Sequence, residues 1–129
     1  MPNDQKKRVL VVEDEAVMAD LLQSMLEDAG FFVLRAASGS DALSVALTQK
    51  PDMILLDILI PGIDGLAVLQ KLRENEWGKH VPVIMLTNLS PDTRILESVS
   101  RDEPLYYVVK SNTSMEDIAN KVKEGLSRQ

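Results

Sequence analysis

Met53-Ile54-Leu55-Leu56-Asp57 sets four apolar residues before a single acid, and its reading decides the fold. A short, unbroken apolar run suits a β-strand covered on both faces, because a strand with one wet face would alternate. Four more runs of this kind lie along the chain: Val9-Leu10-Val11-Val12, Phe31-Phe32-Val33-Leu34, Val83-Ile84-Met85-Leu86 and Leu105-Tyr106-Tyr107-Val108-Val109. Their Val and Ile content fits a pleated, buried surface.

Between the runs the apolar spacing becomes helical. It predicts a first helix through Met18, Leu21, Leu22, Met25 and Ala29, with Gly30 where a C-cap is wanted. A second runs from near Ser40 to Gln49 on Ala42, Leu43, Ala46 and Leu47, and stops before Pro51. A third follows Asp64 as N-cap and carries Leu66, Leu69 and Leu72. Ser90 before Pro91 predicts the start of a fourth, whose apolar content of Ile95, Leu96 and Val99 is thin. The last opens at Thr113-Ser114-Met115-Glu116, a capping-box pattern, and presents Ile118, Val122 and Leu126.

Five alternating βα units predict a parallel sheet with helices on both faces, because strand–helix–strand crossovers are right-handed. Five strands are too few for an eight-stranded barrel, which leaves an open, doubly wound α/β sheet. The 129 residues have room for one such domain, expected over 8–129 behind a polar tail over 1–7. Hydrophobic residues at 45% beside charged residues at 26% exclude a disordered chain. The net charge of −6 argues against direct nucleic-acid binding, since an acidic surface repels phosphates. No apolar run approaches the roughly 18 residues of a membrane span. The charged start lacks the form of a signal peptide, so a cytoplasmic location is expected. With no cysteine and one histidine, His80, the chain has no thiolate chemistry, disulfide or Cys/His zinc site.

In an open α/β sheet, ligands bind at the carboxyl ends of the strands. There the first strand ends in Glu13-Asp14, the third in Asp57, the fourth in Thr87-Asn88 and the fifth in Lys110-Ser111. Taken singly each has a plain role: Asp14 a helix cap, Thr87 a turn hydroxyl, Lys110 a surface charge. Taken together they form a chemical set. Clustered carboxylates raise one another's pKa unless a cation is present. Magnesium is held by one or two carboxylates, with waters and a phosphate completing its shell. Asp57 can attack phosphorus as a carboxylate nucleophile, while the metal, Lys110 and Thr87 stabilise charge on the equatorial oxygens. The pattern points to a metal-assisted phosphoryl site.

Glu13-Asp14-Glu15, Asp52-Met53-Ile54-Leu55-Leu56-Asp57 with Pro61-Gly62 and Asp64-Gly65, Met85-Leu86-Thr87 and Tyr107-Val108-Val109-Lys110 stand in the order and on the elements seen in one family. The chain resembles the receiver domain of two-component response regulators over nearly its whole length. The resemblance implies the flavodoxin-like, doubly wound five-stranded parallel sheet of order 2-1-3-4-5 with five helices. It implies that Asp57 is the phosphoacceptor, forming 4-aspartylphosphate with a phosphoryl group from a phosphohistidine on a histidine kinase or histidine phosphotransfer protein. Mg2+ would be held by Asp14, Asp57 and the backbone carbonyl of Leu59, with Glu13 acting through water. Lys110 would pair with a phosphoryl oxygen and Thr87 would move to hydrogen-bond another. Tyr107 occupies the aromatic switch position. The downstream protein target is left open, and the domain is expected to be a regulatory switch rather than an enzyme with turnover.

Three features depart from the family pattern. Ser111 follows Lys110 where proline is common, and Ser100-Arg101-Asp102-Glu103-Pro104 replaces a glycine-containing turn before the fifth strand. Leu59 and Leu89 occupy two positions whose side chains commonly tune hydrolysis, and neither can hydrogen-bond an attacking water. The thin fourth helix and the missing glycine turn favour a monomer, with dimerisation on phosphorylation as the alternative. An aspartyl-phosphate hydrolase is disfavoured because Leu59 stands where its second aspartate would be. A binding module that has lost phosphorylation is disfavoured by the intact set Asp14, Asp57, Thr87 and Lys110. Nucleotide binding is disfavoured because the first βα turn has no glycines.

Overall fold

A computed structural model describes residues 6–127, so positions 1–5 of the expected tail lie outside the described residues. The elements are β1 (Arg8–Val12), α1 (Ala16–Asp28), β2 (Phe32–Ala36), α2 (Gly39–Gln49), β3 (Met53–Leu56), α3 (Gly65–Arg73), β4 (Val83–Thr87), α4 (Thr93–Asp102), β5 (Tyr106–Val109) and α5 (Met115–Ser127). A 3-10 turn over Lys110–Asn112 joins the last two. The strands form one parallel sheet of order β2-β1-β3-β4-β5. This is the flavodoxin-like order that the family resemblance implied, and its parallel, doubly wound form is the one expected from the alternating pattern.

Adjacent strand residues face opposite layers, which explains why the apolar runs are unbroken. Leu10, Val12, Ile54, Leu56, Val83 and Met85 pack with α2 and α3, and Ile95 of α4 joins them. Val9, Val11, Met53, Leu55, Ile84, Leu86 and Val108 pack on the other side with Leu22 and Leu26 of α1 and Ile118, Val122 and Leu126 of α5.

Helix ends match the sequence reading in part. Gly30, at φ +99°, makes the left-handed turn after α1, and the Asp64 side chain accepts from the Ala67 N–H to cap α3. Helix α4, however, is capped by Asp92, whose carboxylate accepts from the Ile95 N–H at 2.9 Å. Ser90-Pro91 lies outside the helix. Both Ser90 and Asp92 are capping types, and the anionic cap suits the positive helix end. The cap of α5 is Ser114, which accepts from Asp117 N–H, one residue later than the expected box. Leu21 and Leu47 belong to the predicted stripes but are exposed, because α1 and α2 seat on narrower faces built from Ala19, Leu22 and Leu26 and from Ala42 and Ala46.

Before β5 the chain turns without glycine. Glu103 ends α4 at φ +46°, a conformation disfavoured for a residue with a Cβ. Arg73, at the end of α3, donates to the carbonyls of Asp102 (2.8 Å) and Glu103 (3.3 Å), and also to those of Gly78 and Val81. One guanidinium thus holds the strained turn against the connection that leads into β4.

Candidate functional site

Strand register brings the site together. Val12 pairs with Leu56, Leu56 with Met85, and Thr87 with Val109, so the next residues of β1, β3 and β5 emerge beside Thr87 on one rim. Glu13 and Asp57 extend the pairing, since Glu13 N–H donates to the Ala36 carbonyl and Asp57 N–H to that of Val12.

Lys110 is the centre of this rim. Its Nζ donates to Glu13 Oε1 at 2.5 Å and to Asp57 Oδ2 at 2.7 Å. All three side chains are more than nine-tenths buried. Burial is the largest influence on the ammonium and pushes its pKa down, but the bonds to Asp57 and Glu13 together outweigh it and leave the group above its ordinary range. The remaining oxygens are held by the backbone: Glu13 Oε2 accepts from Glu15 N–H and Asp57 Oδ1 from Leu59 N–H, each at 3.2 Å. The Glu13–Lys110 pair was not anticipated from sequence.

Asp14 is exposed. It is not the N-cap of α1, a place taken by Glu15 without a side-chain bond. Among the described residues no group of three or more acidic or histidine side chains is gathered around a common metal position. The donor types still suit a hard divalent ion: the carboxylates of Glu13, Asp14 and Asp57 and the Leu59 carbonyl all offer oxygen, the donor such an ion takes, and Lys110 balances only part of the carboxylate charge.

Thr87 is fully buried, and its Oγ1 accepts from Leu89 N–H at 3.5 Å. Half-buried Tyr107 donates its hydroxyl to the Leu89 carbonyl at 2.7 Å. Burial, and then the Asp92 and Asp57 carboxylates, push the pKa of its phenol up. The Leu89 backbone therefore bridges Thr87 and Tyr107. Its side chain is half-buried, whereas that of Leu59 is 59% exposed.

Ser111 has a specific role that proline could not fill. Its N–H donates to Asn88 Oδ1 at 3.0 Å, tying the segment after Lys110 to the loop after Thr87. The described residues contain no cis peptide bond. No helix among them is long and apolar enough to cross a membrane.

Residues 9–123 match the sequence profile of the response regulator receiver domain. The chain is 43% identical over 81 residues, 63% of its length and 33% of the relative's, to the alkaline phosphatase synthesis transcriptional regulatory protein PhoP of Bacillus subtilis. It is 38% identical over 81 residues to the polar-differentiation response regulator DivK of Brucella ovis, covering 63% of this chain and 66% of that one. The chain thus spans about a third of the length of the first curated relatives it matches. Among solved structures, the signal receiver domain of a signal transduction histidine kinase from Syntrophus aciditrophicus superposes with a TM-score of 0.84 at 30% identity, covering 94% of this chain and 90% of that one. The BeF3-activated N-terminal receiver domain of Klebsiella pneumoniae RstA gives 0.84 at 28% identity, covering 95% and 100%. With its sheet order, its buried acid–lysine rim and these matches in agreement, the chain belongs to the response regulator receiver domain family, the regulatory switches of two-component signalling.

Proposed function

We propose that this domain accepts a phosphoryl group on Asp57 from a phosphohistidine of a histidine kinase or histidine phosphotransfer protein, in the cytoplasm, and so alters its binding to a downstream protein. The observation that carries the reading is the buried Lys110 ammonium held against Asp57 and Glu13. A carboxylate oxygen of Asp57 forms the new O–P bond as the P–N bond of the donor breaks, and the imidazole leaves with the electron pair. Lys110 is within reach to follow charge onto a phosphoryl oxygen while remaining near Glu13.

Glu13, Asp14, Asp57 and the Leu59 carbonyl would hold Mg2+, with Glu13 acting through water. That ion would supply positive charge to the equatorial oxygens of the transferring group. Thr87 is proposed to leave its weak contact with Leu89 N–H for a phosphoryl oxygen. Tyr107 holds the carbonyl of that same residue, so movement of Thr87 would reach the aromatic ring through one residue. The switch is then a two-state element biased by contacts made in only one state.

The decisive experiment treats the protein with acetyl phosphate and MgCl2 and measures intact mass. Wild type should gain one phosphoryl group and Asp57→Asn none; equal gain, or none in either, would refute the assignment. The apolar pair Leu59 and Leu89 is proposed to slow hydrolysis of the aspartyl phosphate by offering attacking water no hydrogen bond. Leu59→Asn combined with Leu89→Glu should shorten the phosphate half-life, measured by loss of the added mass over time.

A further inference from the structure

Gly39 is distant from Asp57 in sequence but lies against the loop that joins β3 to α3. That loop is closed on itself at its far end, where Gly65 N–H donates to the Ile58 carbonyl at 2.9 Å and a Cβ on Gly65 would come within 2.1 Å of the Asp57 carbonyl oxygen. From outside it is met by the first turn of α2. Gly39 N–H donates to the Pro61 carbonyl at 3.1 Å. A Cβ on Gly39 would lie 2.2 Å from the Ile63 carbonyl oxygen and 2.4 Å from Ile63 Cγ1.

We propose that Gly39 is a positioning residue for divalent-cation binding at Asp57, acting by bracing the 61–63 segment. The inference rests on the Mg2+ reading given above. Its physical basis is that the atom facing Gly39 is a backbone oxygen, which cannot swing aside like the end of a flexible side chain. A side chain at position 39 forces a shift of either α2 or the loop backbone. The Ser38 cap and the buried Ala42 and Ala46 tie α2 down, so the proposal is that the loop yields. Leu59 lies midway between Asp57 and Pro61 and is tied to the acid through its N–H. Displacement of 61–63 therefore carries the proposed Leu59 carbonyl ligand with it. α2 touches no reacting group, and its contribution is to hold one oxygen ligand at a fixed distance from the others.

The test titrates the full chain with MgCl2 by calorimetry and follows Mn2+ broadening of the amide signals of residues 57–60, so no phosphoryl transfer is needed. Gly39→Ala should weaken Mg2+ binding by about tenfold or more, the usual effect of losing an outer-shell support. The Mg2+ concentration giving half-maximal labelling by acetyl phosphate should rise in step. Gly125→Ala is the control, because its Cβ would press on Leu105 and Met53 at the opposite end of β3, and it should keep wild-type affinity. If Gly39→Ala does not fold, the double variant Gly39→Ala with Ile63→Ala carries the test, because trimming the Ile63 side chain leaves its carbonyl oxygen still 2.2 Å from the new Cβ, and it should weaken binding in the same direction. A folded Gly39→Ala, or in its place the double variant, with wild-type Mg2+ affinity would overturn the inference. Equal weakening by Gly125→Ala would overturn it as well. Wild type that binds no Mg2+ would instead overturn the metal reading on which it stands.

Discussion

Lys110 shows what a single side chain sets at this rim. Replacing it with methionine would leave Glu13 and Asp57 buried side by side with no ammonium between them. Lys110→Met should lose roughly 1.5–3 kcal/mol at neutral pH, the range for hydrogen bonds to charged groups, as measured by urea unfolding. The pH dependence has a definite sign. Because folding raises the pKa of this ammonium, its contribution is fully present below the ordinary lysine value of about 10.4 and fades as pH rises through the folded value. Stability of the wild type should therefore fall more steeply above that pH than stability of Lys110→Met. Asp57, Thr87 and Lys110 were legible as strand ends. The inward turn of Glu13 rather than Asp14 was not, because neighbours on extended backbone face opposite ways and only the last ladder bond of β1 decides between them. Ser111 was legible as a departure, but its bond to Asn88 needed coordinates.

Helix α4 departs furthest from what its sequence suggests. Its buried residues are Ile95, Ser98 and Asp102, whereas apolar Leu96 is 57% exposed. The buried side thus keeps Ile95 and, in part, Val99 but takes in Ser98 and Asp102 in place of Leu96, and Ser98 Oγ is enclosed without a hydrogen-bond partner among the described residues. An unpartnered buried hydroxyl is a net cost, and alanine also favours helix. Ser98→Ala should stabilise by about 1 kcal/mol, read as a melting temperature roughly 3–6 °C higher by calorimetry. The burial of Ser98 and Asp102 was not legible, since both are polar types that ordinarily face water. By contrast α3 and α5 present Leu66, Leu69 and Leu72, and Ile118, Val122 and Leu126, as their spacing requires, because nothing competes with burial there.

Across the whole molecule the parallel, doubly wound sheet follows from the alternation of buried runs and helices, its strand order was implied by the family resemblance alone, and the carboxyl ends of the strands collect the acids and the lysine. The opposite ends depend on Arg73, which binds carbonyls just before β4 and β5. Burial lowers the pKa of this guanidinium, and Asp102 and Glu103 partly oppose that shift. Arg73→Met should destabilise by roughly 2–3 kcal/mol in urea unfolding, because charge-assisted bonds to two chain segments are lost. Its acetyl phosphate labelling should match wild type. The role of Arg73 was invisible in sequence, where it is one more charge at a helix end. Structural upkeep is therefore shared by both poles of the sheet, while the proposed phosphoryl chemistry belongs to one. A mutant library sorted for solubility would mark Arg73 and Lys110 alike, and one sorted for signal output would mark Asp57 and pass over Arg73. Natural drift could then revise the lifetime of the proposed phosphate through Leu59 and Leu89 without touching either clamp.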